Sequence, residues 1–372
     1  MMVPAERARP ENLTVARPER LTVARPKDVT VLRPHPRISV LLHRRAAYVA
    51  TALLLLLACV MLASACFGQT YVPPDEVLRT LRGEAGPYDL IVGELRVPRI
   101  ALGALVGAAL GLSGALVQTV TRNPLASPDV IGVGHGAAAA TVLALATGAV
   151  ASPGAMPAVS VVGGLAAAAL VYALAWRRGM QPSRFVLTGV GIGVALSAIV
   201  QLYLADSELE AAEQVELWLT GSLNGRGWEQ AGPLTAVLLL SLPALVWASR
   251  AVRPLGLDTD TAAALGVAVD RVRLGLTVLG VVLAATATGA AGPIGFVALT
   301  APQLARRLTR TPQLPLVTSA LTGAVVLVGA DLAARLLLPP LEIPVGALTA
   351  LVGGPYLLWL LGREPRGARR PS

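Results

Sequence analysis

Residues 98–120 read PRIALGALVGAALGLSGALVQTV, a run in which Arg99 is the only charged residue. Because a membrane-spanning helix needs about 20 apolar residues, this run predicts one transmembrane helix. Nine further apolar segments are bounded by charges, Pro or Gly: 46–67, 130–150, 157–176, 184–204, 231–249, 272–290, 293–309, 314–337 and 343–361. The sequence therefore predicts an all-α polytopic membrane protein with ten transmembrane helices.

The composition supports this fold class. Of the 372 residues, 54% are hydrophobic and only 14% are charged, and the mean hydropathy is +0.65. These values exclude an ordinary soluble protein, a disordered chain and a disulfide scaffold. The net charge of +9 could point to nucleic acid, but no fingerprint of a nucleic-acid-binding fold is present, so nucleic acid is not an expected partner.

The distribution of charge predicts the topology. Ten spans place both termini on one side of the membrane, and basic residues favour the cytoplasmic side. Both ends of the chain are rich in arginine, and the loops on the opposite side carry most of the acidic residues. We therefore expect both termini to be cytoplasmic.

The N-terminal residues 1–45 differ from the rest of the chain. They contain an octad repeat with a Thr-Val step and an Arg-Pro dipeptide in each unit: Leu13–Arg20, Leu21–Asp28 and Val29–Pro36. Because proline at this spacing disfavours helices and central strands, we expect a disordered cytoplasmic tail. Its charge either sets topology or holds it near anionic headgroups. Residues 46–363 are then the ten-helix transmembrane domain and residues 364–372 a cytoplasmic C-terminal tail.

The first apolar segment allows two processing interpretations. Arg44-Arg45 is similar to a twin-arginine signal, and the stretch from Leu62 to Cys66 loosely resembles a lipoprotein cleavage box. Either signal would precede a soluble exported domain, whereas more apolar segments follow here. We interpret the segment as an uncleaved first span.

The chain lacks the residues that most membrane chemistry requires. The only lysine is Lys27, in the tail, so no lysine-containing phosphate loop is present. Three scattered histidines predict no metal site, and no directly bound cofactor and no enzymatic activity are expected. An ion-driven secondary transporter is the alternative class, and a membrane enzyme is a weaker one. Asp331, the only acid near a span, is expected to pair with Arg335.

Four local features carry functional information. Gly103, Gly107 and Gly111 recur at four-residue spacing, which favours close helix packing over a pore-lining role. The inner loop that begins Arg122-Asn123-Pro124 predicts a shaped turn.

Residues 258–266 predict a short cytoplasmic helix with acids in its first turn and a glycine at its end, suited to docking a motor. The outer arginines Arg96 and Arg99 fit either headgroup anchoring or the carboxylates of an extracellular partner.

Taken in order, these motifs resemble the permease subunits of binding-protein-dependent ABC importers for iron-siderophores, haem and cobalamin. The resemblance covers residues 46–363 and rests on the following motifs: Arg96-Val97-Pro98-Arg99, Gly107 to Gly114 leading into Arg122-Asn123-Pro124-Leu125-Ala126, Leu265-Gly266, Gly292-Pro293-Ile294-Gly295-Phe296, Ala330-Asp331 with Arg335, and Glu342-Ile343-Pro344-Val345-Gly346. It implies a type II ABC importer bundle of two permeases in a bacterial cytoplasmic membrane. Separate ATPase subunits would use the ATP, and an extracellular substrate-binding protein or lipoprotein would deliver the substrate.

The resemblance also implies roles for single residues. Arg96, Arg99 and Arg335 match the arginines that dock the binding protein. The residues matching the ATPase coupling helix are Leu257, Asp258, Thr259, Asp260, Ala262, Leu265 and Gly266. Gly292, Pro293 and Gly295 match a further packing motif. The path between subunits would be lined by small-residue helices, including the second, fifth and tenth spans.

The substrate is the least determined part of the resemblance. Ser127-Pro128-Asp129-Val130, together with Gly221–Gly225 and Trp228, is most similar to the ferric-enterobactin branch, which handles catecholate siderophores. That branch implies a heterodimer with a second permease, and a homodimer is the alternative. Haem and cobalamin remain alternative substrates.

Overall fold

The computed structural model describes residues 29–35, 38–148, 156–176, 182–257, 259–311, 314–339 and 341–362. The chain divides into two units, residues 1–44 and 45–372. The first two octads and the C-terminal tail at 364–372 lie outside the described residues.

A β-hairpin is the described part of the first unit. Strand β1 (Val29–His35) pairs antiparallel with β2 (Ile38–His43). This differs from the predicted disordered tail. The register is regular from Val29 to Leu32 and shifts before His35, where Pro34 lies. A two-stranded ribbon consists only of edge strands, and edge strands tolerate proline. The proline spacing therefore excludes a central strand but not this hairpin.

The second unit is helical. Its helices are α1 (Arg44–Cys66, which begins one residue before the unit), α2 (Pro74–Leu81), α3 (Val97–Thr121), α4 (Val133–Ala146), α5 (Met156–Ala175), α6 (Pro182–Asp206), α7 (Leu209–Leu219), α8 (Trp228–Leu240), α9 (Leu242–Leu255), α10 (Thr259–Ala264), α11 (Val269–Ala291), α12 (Val297–Thr309), α13 (Leu316–Leu336) and α14 (Val345–Gly362). A π-helical segment, Leu90–Arg96, leads directly into α3.

Each of the ten predicted apolar segments coincides with a helix or a helix pair. By length and composition, six of the described helices can cross a membrane, or seven if α8 and α9, bent by 51°, form one span. Helices α4 and α14 are apolar but shorter, and α12 has only 13 residues. The described residues thus contain six or seven helices long and apolar enough to span a membrane, and the number ten remains a prediction.

Helix α3 lies at the centre of the helical unit. It contacts α13, α11, α12 and α8, and 78% of its apolar window is buried. Most of α3 is thus covered by helices of its own subunit, which favours a packing role, and the pore-lining role of the second span remains a prediction. Helix α6, the predicted fifth span, is only 22% buried over its apolar window.

Glycines bring α3 and α13 into backbone contact. A β-carbon at Gly107 would overlap the carbonyl group of Gly323, and one at Gly111 would overlap the carbonyl group of Ser319. Gly103 faces the side chains of Leu223 and Val328. The packing interpretation of the α3 glycines is confirmed.

Replacing Gly323 by Ala should destabilise the protein, because the added methyl group has no space beside Gly107. We expect a loss of about 2 kcal/mol, within the range for overpacked cores, seen as a lower melting temperature of the detergent-purified protein. Gly329→Ala is the matched control on the same helix, since nothing lies within 4 Å of its β-carbon position. It should be neutral or slightly stabilising. Equal effects of the two substitutions would contradict the backbone-contact interpretation.

Candidate functional site

A buried ion cluster joins α3 to α13 at the predicted outer side. Nη2 of Arg99 lies 2.9 Å from Oδ1 of Asp331, and its Nη1 lies 2.9 Å from Oε2 of Glu342. The side chains of Arg99 and Asp331 are 10% and 3% exposed, whereas that of Glu342 is 27% exposed. Glu342 lies in the connection between α13 and α14. It is therefore the acid in this cluster that solvent reaches most easily.

Arg335 completes the cluster from the last turn of α13. Its Nε lies 3.3 Å from Oδ2 of Asp331, so the predicted pair is confirmed. Its guanidinium also donates to the hydroxyl and carbonyl oxygens of Ser64, near the end of α1. Asp331 is thus paired with two arginines, and the cluster connects α1, α3 and α13.

Arg96 binds a different set of groups. Its Nη1 donates to the carbonyl oxygens of Ala65 at 2.6 Å and Cys66 at 3.1 Å, and its Nη2 donates to the carbonyl oxygen of Thr70. The guanidinium therefore satisfies carbonyls at the C-terminus of α1, where a cation is favourable. Gly68 leaves room for it, because a β-carbon there would lie 2.7 Å from Nη2 of Arg96.

The three predicted docking arginines are therefore engaged within the subunit. Taken as whole residues, Arg96, Arg99 and Arg335 are each at most 9% exposed. The sequence predicted charged groups open to an outer partner, but a buried guanidinium requires acceptors, and the fold supplies them. A partner's carboxylate could reach this cluster only by replacing an existing contact.

The predicted coupling segment forms a short helix, α10. Asp260 lies in its first turn, while Asp258 lies outside the described residues. Gly266 adopts φ +82. The amide of Gly266 donates to Ala263, and that of Val267 donates to Ala262. This pair of hydrogen bonds is the glycine C-cap that the sequence predicted.

The surface of the coupling segment is partly apolar. Ala262 is fully buried, whereas Leu257 and Leu265 are 43% and 68% exposed. Thr259, at the start of α10, accepts a hydrogen bond from Arg273 of α11 at 3.2 Å. This contact could not be predicted from the sequence, since the two residues lie in different helices. The segment is anchored on one side and has exposed leucines that a partner could cover.

The inner turn after α3 has the shape predicted for it. Arg122 ends α3 in the left-handed conformation, with φ 51. Oδ1 of Asn123 accepts a hydrogen bond from the amide of Leu125 at 2.9 Å, and the carbonyl of Asn123 accepts one from Ala126 at 3.2 Å. Pro124 lies inside this Asx turn, a common place for proline.

Two glycine-containing loops and the first turn of α14 meet near the start of α12. Gly292 has φ +76, and a β-carbon there would lie 2.6 Å from the carbonyl oxygen of Trp218. The amide of Gly346 donates to the carbonyl of Gly221 at 3.0 Å. The carbonyl group of Pro293 lies against Gly221, whereas a β-carbon at Gly295 would meet nothing within 4 Å. The motif formed by Gly292, Pro293 and Gly295 is therefore a packing site. It joins the ends of α7 and α11 to the start of α14.

A cavity of about 480 Å³ adjoins this region. Its polar lining consists of Ser127, Asp129, His135, Ser197 and Gln201. Burial raises the pKa of the Asp129 carboxyl to about 6. Within the described residues, no group of three or more His, Cys, Asp or Glu side chains could hold a metal ion. The cavity offers hydrogen-bonding groups among mainly apolar walls.

Comparison with known proteins identifies a family. Residues 54–363 match the model of the FecCD transport family. The chain is 40% identical over 322 residues to the ferric enterobactin transport system permease protein FepG of Escherichia coli (strain K12), covering 84% of this chain and 97% of that protein. It is 42% identical over 319 residues to the achromobactin transport system permease protein CbrC of Dickeya dadantii (strain 3937), covering 85% and 91% respectively.

A solved structure gives the same result for the fold. A metal-chelate type ABC transporter in an inward-facing conformation is similar, with a TM-score of 0.75 and 29% sequence identity. The match covers 86% of this chain and all of that chain.

Asp331→Asn should destabilise the protein strongly, because two buried arginines would lose their shared anion. Breaking a buried ion pair costs about 3 kcal/mol or more. The control is Glu342→Gln, which removes the same charge from a more exposed position and should cost about 1 kcal/mol or less. Denaturation of both purified variants measures the difference. If Asp331→Asn were as stable as Glu342→Gln, the cluster would not hold α3 to α13.

Proposed function

The chain belongs to the FecCD transport family, and from this we propose that it carries ferric siderophores of the catecholate type into a bacterial cell. It is the permease subunit of an ATP-binding-cassette importer and not an enzyme, since ATP is hydrolysed by a separate subunit. The similarity to the ferric enterobactin permease over most of both chains is the observation that supports the catecholate class.

We propose a topology of ten spans with both termini in the cytoplasm. The spans are α1, α3, α4, α5, α6, the bent pair α8–α9, α11, α12, α13 and α14. Helices α4, α12 and α14 are short, and in this topology the residues that flank each helix complete its path across the membrane. This arrangement puts Arg122 and α10 on the inner side and the Asp331 cluster on the outer side, in agreement with the charge distribution.

The proposed assembly has two permeases, two ATPase subunits and an extracellular binding protein in the cytoplasmic membrane. A second, different permease is the proposed neighbour, with a second copy of this chain as the alternative. Helix α6 supports a subunit interface, because Leu187 and Leu202 are 75% and 74% exposed. On the inner side, residues 257–266 contact the ATPase through Leu257 and Leu265.

Docking of the binding protein takes place at the outer ion cluster by exchange of an acid. A carboxylate of the binding protein replaces Glu342 on Nη1 of Arg99, while Asp331 keeps its contacts. Exchange of one carboxylate for another leaves the buried guanidinium paired throughout, whereas extracting Arg99 into water would break two ion pairs at once. Arg96 and Arg335 hold the surrounding helix ends in position.

Glu342→Gln should strengthen docking, because it removes the acid that competes for Arg99. We expect a several-fold decrease in the concentration of binding protein that gives half-maximal stimulation of ATP hydrolysis by the reconstituted complex. Glu229→Gln is the control, since Glu229 is an exposed acid in the first turn of α8 and its loss changes only the general surface charge. Weaker stimulation, or the same change in both variants, would rule out exchange at Arg99.

Uptake by cells with and without this gene tests the substrate. Labelled iron is supplied as ferric catecholate, ferric hydroxamate or ferric citrate, and labelled cobalamin serves as the control. We expect deletion to reduce only ferric catecholate uptake, by tenfold or more, and the intact gene to restore it. Loss of a different substrate would overturn the catecholate assignment while leaving the family unchanged.

A further inference from the structure

The inner end of α3 is connected to the coupling segment by one side chain. Nη2 of Arg122 donates to the carbonyl oxygens of Leu255, at 3.3 Å, and Leu257, at 2.6 Å. Leu255 is the last residue of α9, and Leu257 lies in the connection to α10. Arg122 thus binds the backbone at the point where the chain enters the coupling helix.

The backbone at this position does not itself favour arginine. Arg122 ends α3 with φ 51, and helix ends in this conformation usually carry glycine or asparagine, because a β-carbon is unfavourable there. A long cationic side chain at such a site requires a different explanation. Its two carbonyl contacts supply one.

Other contacts fix both partners of this connection. Gln118, one turn before Arg122, accepts a hydrogen bond from Gln303 at 2.6 Å and donates to the carbonyl of Leu299 at 3.0 Å. Arg273 holds the start of α10 through Thr259. The inner end of α3 is therefore fixed to α12, and α10 is fixed to α11, while Arg122 bridges the two groups.

A cavity beside the bridge gives it space to move. It measures about 440 Å³ and is lined by Gln118, Arg122, Leu257, Gln303 and Arg306, among others. Close-packed interiors transmit displacement but resist local rearrangement. A bridge next to open space can change its geometry without repacking the helices around it.

We propose that Arg122 is the positioning residue that passes movement of the coupling segment to α3. The proposal rests on the proposed function, since it takes α10 as the element on which the ATPase acts. Helix α3 is continuous from Val97 to Thr121, so Arg99 and Arg122 lie about 35 Å apart along it. Movement of Leu257 then reaches the outer cluster as a shift of α3 as a rigid body.

The test uses the complete transporter in proteoliposomes, with ATPase subunits, binding protein and ferric catecholate. Two quantities are measured: ATP hydrolysis stimulated by the binding protein, and chelate molecules imported per ATP. Arg122→Ala should leave ATP hydrolysis within about threefold of wild type and lower the import per ATP by tenfold or more. Arg122→Lys retains the positive charge but not the planar guanidinium group, so its import per ATP should lie between the values of wild type and Arg122→Ala.

Arg310→Ala is the matched control. Arg310 ends α12 in the same left-handed conformation, with φ 53, but its side chain is exposed and makes no hydrogen bond or ion pair with the described residues. It should keep the import per ATP of wild type. The proposal would be overturned if Arg122→Ala kept an import per ATP within twofold of wild type, or if Arg310→Ala lost as much import per ATP as Arg122→Ala.

Hydrogen exchange of the purified full-length subunit provides a second measurement if the Arg122→Ala complex does not assemble. The amides of residues 255–267 should exchange at least fivefold faster in Arg122→Ala than in wild type or Arg310→Ala. Unchanged exchange at residues 255–267 would overturn the proposal. Faster exchange along the whole chain would also overturn it, because Arg122 would then be needed for the fold itself. Failure of the wild-type complex to import the chelate would instead refute the proposed substrate, and its failure to hydrolyse ATP would refute the assembly.

Discussion

The close approach of α3 and α13 is the contact on which the helical unit depends. Lipid is as apolar as the helix surfaces, so helices in a membrane associate through packing and polar contacts rather than through the hydrophobic effect. Gly107 and Gly323 meet the need for packing, because their backbones touch with no side chain between them. This contact also sets the distance at which Arg99 of α3 meets Asp331 of α13.

The arginine and glutamine side chains through which α3 contacts other elements lie near its two ends. Arg99 binds acids at one end, and Gln118 and Arg122 bind carbonyl and amide groups at the other. Along the middle, α3 presents small residues to α13. Between these ends, Ser113 donates a hydrogen bond to the carbonyl oxygen of Gly280 in α11 at 2.6 Å. A shift of α3 against α11 must therefore keep or replace this contact.

Much of the fold could be predicted from the sequence, because apolar length and glycine spacing are local properties. Each of the ten apolar segments contains a described helix, and the C-cap at Gly266 has the predicted geometry. The outer arginines show where this reasoning ends. Their sequence neighbours predict exposed charges, but their acceptors come from α1, α13 and the chain before α14, and only folding brings these together. Likewise, the residues near Thr259 do not predict its contact with Arg273, and the proline spacing around Pro34 does not predict the pairing of β1 with β2.

The location of charge also constrains how the subunit can change conformation. A buried arginine must keep an acceptor throughout any movement, because an unpaired buried charge is costly. Asp331 satisfies this condition for Arg99 and Arg335 at once, so one of them can lose a second contact, such as Glu342, without becoming unpaired. The more exposed acid is therefore the replaceable member, and the buried acid is the fixed one. By the same reasoning, Arg122 binds uncharged carbonyls at the inner end of α3, where it can release them to water at little electrostatic cost. The outer end of α3 is held by charged contacts that must be exchanged, whereas Arg122 at the inner end holds uncharged carbonyl groups.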